Sequence, residues 1–127
     1  MPTSLTRSRR SAYIVGIMAE SALGEFEVVV LMAVLHLGEE AYPPAVRAMI
    51  AARSGRSAAR GAVYVTLDRL ETKRLLTSRL VDAGGGVGGR PRRYYRASAR
   101  GRQALRRAVA GMERMRQGLE DLLVEER

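Results

Sequence analysis

The side chains in this sequence that can do chemistry are almost all arginines. Of its 22 basic residues 21 are Arg and only Lys73 is lysine; against them stand 13 acids, for a net charge of +9 and a pI near 11.1. With no cysteine there is no thiolate catalysis, no disulfide framework and no Cys-ligated zinc or iron–sulfur centre. A lone histidine, His36, cannot assemble a His-based metal site by itself. Neither a nucleophile–base pair nor paired carboxylates stand at workable spacing, so an enzyme is the weakest reading and no cofactor is expected. What remains is guanidinium chemistry, whose planar fork of donors suits phosphates and base edges. GC-rich coding explains part of the Arg excess over Lys. The charge itself favours a polyanionic partner, nucleic acid before an anionic membrane.

The arginines are placed unevenly. No acid lies between Asp82 and Glu113, where Arg90, Arg92, Arg93, Arg96, Arg100, Arg102, Arg106 and Arg107 fall. A second acid-free stretch, Ala41 to Leu67, carries Arg47, Arg53, Arg56 and Arg60, while most acids cluster at 20–40 and 113–126. A charge run is ordinarily a solvated face, but segregation onto two stretches favours a role in binding. Arg60, Tyr64 and Asp68 stand at i, i+4 and i+8, so on a helix they project together. Gly61 leaves room for a backbone to approach a duplex. Tyr64 reads equally well as a phosphate contact or a half-buried core residue, and Asp68 more readily as a surface partner of Arg69. The glycine-rich stretch 83–89 lacks the G-K-[ST] ending of a phosphate cradle and does not open a helix. It reads as the tip of a wing, with Arg90, Arg92 and Arg93 at its base to meet phosphates.

The elements that must position these residues follow from periodicity. A chain of 127 residues, 46% apolar, allows one compact domain and a helical appendage. Phe26, Val29, Val30, Ala33 and Leu37 mark a helix ended by Gly38, apolar nearly all round from Val28 to Val34 and so buried on more than one side. His36 sits in its last turn, where a cation suits the helix dipole. A second helix starts at Pro43–Pro44, turns Val46, Met49 and Ile50 inward and stops at Ser54–Gly55. A third runs from Ala58 or Ala59 to Lys73, with Ser57 as N-cap and Val63, Thr66, Leu67 and Leu70 as inner stripe. Then the period changes to two: strands over Leu76–Val81 and Arg92–Ala97 make a hairpin, and Ser98 caps a long last helix. On that helix Leu105, Ala108, Met112, Met115, Leu119 and Leu122 are spaced 3, 4, 3, 4, 3, a coiled-coil seam. Helped by Phe26 and Val30 of the first helix, it predicts a homodimer. Residues 1–23 form an arm or a short amphipathic helix through Tyr13, Ile14, Ile17, Met18 and Ala22. Arg7, Arg9 and Arg10 precede an apolar run, Ala12–Met18, that lies at the bottom of the signal-peptide range, is broken by Gly16 and lacks a clean small-x-small cleavage site; no stretch is long enough to span a membrane, so the expected location is cytoplasmic.

The predicted fold is therefore mainly α with a small β-hairpin: a winged helix-turn-helix at 24–97, then a dimerisation helix at 98–127. Gly24 to Glu27 (GEFE), Leu35 to Tyr42 (LHLGEEAY), Gly61 to Glu71 (GAVYVTLDRLE) and Gly89 to Arg96 (GRPRRYYR) closely resemble the PadR family of bacterial transcriptional regulators. The likeness covers about residues 24–110. It implies a dimeric winged-helix regulator of the short subfamily with one C-terminal helix, most members being repressors. By it the third helix reads DNA, with Arg56, Ser57, Arg60, Gly61 and Tyr64 as contacts beside Arg90, Arg92 and Arg93 of the wing, and the first and last helices build the dimer. The chain departs from the family pattern at three places. Arg74 stands where Gly ends the third helix, so either the helix ends differently or Arg74 adopts a positive φ at about 1 kcal/mol. Pro43–Pro44 replaces a Gly-containing start of the second helix. There is no Trp and one Phe, so a small-molecule effector has no support in these residues. The expectation is a sequence-specific DNA-binding regulator, a dimeric repressor on a pseudo-palindromic operator, with relief by a small-molecule effector left open. The alternative is a sequence-blind architectural DNA- or RNA-binding protein, and an adaptor using the helical seam ranks third.

Overall fold

The computed structural model describes residues 23–82 and 90–125; the expected N-terminal arm and the glycine loop lie outside them. Helix α1 spans Glu25–Leu37. Its first turn is closed by Glu27, whose Oε1 accepts from the Gly24 amide at 2.8 Å. Val30, Leu31, Ala33 and Val34 are buried, a broader sector than a single stripe, while Phe26, Val29 and Leu37 pack at the edge of the core. The near-continuous apolar run has a purpose: α1 packs against α2 (Pro43–Ser54), α3 (Arg60–Thr72), β2 (Arg92–Ala97) and α4 (Ala99–Arg116).

A 3-10 turn over Gly38–Glu40 leads out of α1, with Gly38 at φ 58. Pro43 and Pro44 open α2, where the missing amide costs nothing, and Gly55 at φ 70 ends it. Helix α3 buries Val63, Thr66, Leu67 and Leu70, the stripe its spacing predicts. Its start differs from expectation. Ala59, not Ser57, is the N-cap, and no side chain caps the first turn. The preceding turn is held instead by Arg47, whose Nε donates to the Ala58 carbonyl at 2.8 Å. At the other end Arg74 takes φ 64. Its neighbours offset that strain: the Leu75 amide returns to the Leu70 carbonyl at 2.9 Å, and Ser98 Oγ donates to the Arg74 carbonyl at 2.8 Å.

Strand β1 (Leu76–Val81) pairs antiparallel with β2, in register from Leu76 opposite Ala97 to Val81 opposite Arg92. Leu76, Tyr95 and Ala97 turn inward, and the Tyr95 amide docks the hairpin on the Ala41 carbonyl at 2.7 Å. Ser98 caps α4 as its sequence predicts, accepting from the Gly101 amide at 3.0 Å. Helix α4 buries Gly101, Ala104 and Leu105 and stops at Arg116. Gln117 turns to ψ 133 and Gly118 to φ 90, and Arg116 bridges the break by bonding Glu113 and Glu120. The seam expected on one helix is thus cut after Met115. Leu119 lies past the break and Leu122 in a 3-10 turn over Asp121–Leu123. Among the described residues, no helix is long and apolar enough to cross a membrane.

Candidate nucleic-acid interface

The outer face of α3 is open along its N-terminal half. Arg60, Gly61, Tyr64, Val65 and Asp68 are all exposed. The Arg60 guanidinium lies 5.7 Å from the centre of the Tyr64 ring, an i, i+4 cation–π pair that holds both side chains together. Beside them Pro43, Pro44, Arg47 and Val63 complete a mainly apolar recess of about 270 Å³. Because α3 has no side-chain cap, its first amides and the positive end of its dipole face outward. A guanidinium, an aromatic hydroxyl and free amides in one turn are suited to base edges and phosphate oxygens. Sequence reasoning placed Arg47 only in a charge count; its position in the recess beside Arg60 emerges from the packing of α2 on α3.

The remaining predicted contacts are distributed differently. Arg56 is spoken for within the chain: its guanidinium bonds Glu25 at 3.0 Å and lies 5.2 Å from the Phe26 ring centre. It ties the turn before α3 to the start of α1, and an incoming phosphate has to displace Glu25 to reach it. Ser57 is exposed in that turn.

On the hairpin, Arg92 and Arg93 point to opposite faces, as adjacent strand residues must. Arg93 donates to Ser78 Oγ at 2.9 Å, and Ser78 in turn donates to Glu71 at 2.5 Å, which braces the wing on the end of α3. Arg92 lies 4.9 Å from the Tyr42 ring centre; Tyr42 meets Tyr94 at 5.5 Å, and Arg79 lies 5.3 Å from Tyr94 while bonding Glu39 at 3.1 Å. This alternating stack belongs to the outer face of the wing. Arg90 is exposed beside the glycine loop. Arg90, Arg92 and Arg93 therefore do not form one patch.

One ionic contact was invisible in the sequence. Glu27, almost fully enclosed, receives Lys73 Nζ on both oxygens at 2.8 and 3.1 Å. Burial pushes its carboxyl up, but the Lys73 and Gly24 hydrogen bonds and the charges of Lys73 and Arg69 outweigh this and hold it below the usual carboxylate range. The pair links the start of α1 to the residue that closes α3, and so fixes the tilt of α3 on the core.

The residues expected at a dimer seam also separate. Val30 is completely enclosed in the protomer and has no surface to offer a partner, because α1 is surrounded by four elements. Phe26 is half-buried under Arg56. Leu105 is buried and Ala108 half-buried, while Met112 and Met115 are exposed on α4. Among the described residues, no group of His, Asp and Glu side chains could hold a metal ion.

Three helices closed by a two-stranded wing, with the third helix open along its outer face, define a winged helix-turn-helix. The model of the PadR-like family of transcriptional regulators matches residues 31–107, and the chain belongs to that family. Among solved structures it is similar in fold to a PadR-like transcription factor from Bacteroides fragilis, at 22% identity, 87% of this chain, 98% of that one and a TM-score of 0.62. A PadR family transcriptional regulator from Eggerthella lenta is similar at 23% identity, 98% of this chain, all of the other and a TM-score of 0.59. The M. tuberculosis transcriptional regulator MosR, solved in complex with DNA, gives 20% identity over 99% of this chain and 86% of the other, with a TM-score of 0.54. No curated protein matches the sequence.

Proposed function

We propose that this regulator is a homodimeric repressor that reads a pseudo-palindromic operator in the cytoplasm with α3 of each protomer. The observation that carries the reading is the exposed Arg60–Tyr64 pair on the uncapped first turn of α3. A recognition helix meets base edges with its N-terminal residues, and a two-fold dimer sets two such helices roughly 34 Å apart. Gly61 lets the backbone come close, and Ser57 and Arg47 stand beside it for phosphates. The complex of the M. tuberculosis relative with DNA supports the same partner here. Arg90 then reaches phosphates from the wing, whereas Arg92 and Arg93 act chiefly by fixing the posture of the hairpin.

The test is a specificity ratio at one stated salt: binding to the duplex upstream of its own gene against random duplex. Arg60→Ala should cost about 1–3 kcal/mol on the operator and relax preference at one base pair per half-site. Equal losses on operator and random duplex would instead identify a sequence-blind architectural protein, the reading that the charge of +9 alone would support.

A further inference from the structure

A large part of the acid-free stretch between Asp82 and Glu113 falls on α4 and is not used by the reading above. Helix α4 has two unlike faces. At 3.6 residues per turn, Gly101, Ala104, Leu105 and Ala108 make one side, and the first three of them are buried in the core. Arg102, Gln103, Arg106 and Arg107 project from the opposite side, all exposed. Where the side chains of Arg56, Arg79, Arg93 and Arg116 each have a partner, the guanidinium groups of Arg102, Arg106 and Arg107 have no hydrogen bond, ion pair or ring contact among the described residues. Arg100, Gln103, Ala104 and Arg107 line an open recess of about 430 Å³ on this side.

Two further features set the face apart from a solvated helix surface. Its first turn has no acidic residue, so Arg102 opposes the positive end of the helix dipole. Arg102 and Arg106 stand at i, i+4, where like charges repel. Both effects destabilise the helix until an anion is brought to it. The face is also remote from Arg60. The first turn of α4 rests on Leu75, just past the far end of α3, where the Ser98 amide bonds the Leu75 carbonyl at 3.1 Å. Arg60 lies at the other end of a 13-residue helix, roughly 18 Å away.

We propose that the arginine face of α4 is a second, sequence-blind surface for duplex DNA, so that a dimer seated on its operator by α3 holds another stretch of duplex on α4. The proposal rests on the operator reading of α3. Between Arg102 and Arg107 the outward positions hold no large apolar or aromatic side chain. A bilayer interface or a protein partner would be anchored by such groups, whereas a phosphate backbone needs only the charges.

The experiment uses the full chain and its variant Arg102→Gln/Arg106→Gln/Arg107→Gln, in which Gln retains helix propensity. Each is saturated with a short operator duplex and passed over beads bearing a random duplex. The wild type should be retained and the variant should lose retention at least tenfold, with the log–log salt slope of retention falling by about 5 for six arginines per dimer. Operator affinity and circular dichroism should stay unchanged. Equal retention of both proteins overturns the proposal, as does a variant that loses affinity for the short operator in parallel. A wild type that binds operator without retention also overturns it, as does a preference for anionic vesicles over duplex. If the wild type shows no operator preference, the reading of α3 fails separately, and retention is read with a random short duplex in its place.

Discussion

Glu27 is a carboxylate set among valines, and two donors decide that it stays charged. Burial opposes the anion, yet the Lys73 ammonium and the Gly24 amide more than compensate, so its folded pKa lies below the unfolded value. The stabilisation is therefore fully present above the unfolded carboxylate range and is lost as pH falls through the folded value. Glu27→Gln should lower stability at pH 7 by about 1–3 kcal/mol, the scale of a hydrogen bond to a charged group. Urea unfolding should show the gap between variant and wild type narrowing from pH 7 to pH 3; a constant gap would mean that charge is not what Glu27 contributes. Nothing near Glu27 announces its role, because its partner is 46 residues away. The opposite orientation of Arg92 and Arg93 is legible in the sequence, since strand alternation alone requires it. The sequestration of Arg56 is not: it depends on where α1 begins in space.

At the scale of elements, what reads correctly is local. The stripe of α3, the proline start of α2, the Ser98 cap and the limits of both strands follow from residues within a turn or two of each other. The end of α4 was missed for a related reason. Apolar spacing of 3 and 4 continues past Gly118, but spacing carries no information about backbone angles, and the chain leaves the helix at Gln117, ψ 133, with Gly118 at φ 90 completing the turn. The seat of α4 is set by a glycine of another kind. A Cβ built on Gly101 overlaps the Leu75 carbonyl oxygen and lies 3.0 Å from its carbon, and that backbone is fixed by the left-handed Arg74 before it. Gly101→Ala should therefore destabilise the fold by about 1–3 kcal/mol or more through overpacking. Gly111→Ala, on the same helix with only the mobile end of Arg114 nearby, should stabilise by about 0.5–1 kcal/mol. Denaturant midpoints that move in the same direction for both would show that α4 does not rest on Leu75 as closely as this.

For the whole molecule the question is what covers the apolar side chains beyond Leu105. Val109, Met112 and Met115 are exposed on α4, with Leu119, Leu122, Leu123 and Val124 after the break. A monomer rarely leaves so contiguous a set in water. The helical break shortens the expected coiled coil to its first part, so the surface that remains is Met112 and Met115 with Val109 beside them, on the side of α4 away from the unpaired arginines for the two methionines. Each Met buried against a second copy contributes roughly 1.5–3 kcal/mol. Met112 is 69% and Met115 76% exposed in the protomer, so charging them removes no core contact. Met112→Asp/Met115→Asp should accordingly give a folded monomer with unchanged helix content, rather than the unfolded chain that a core substitution would give. Sedimentation at tens of micromolar should show the wild type as a dimer and the variant as a monomer. The variant should also bind the operator at least tenfold more weakly, because one half-site no longer tethers the other. A monomeric wild type under those conditions would remove the dimer and, with it, the two-fold operator.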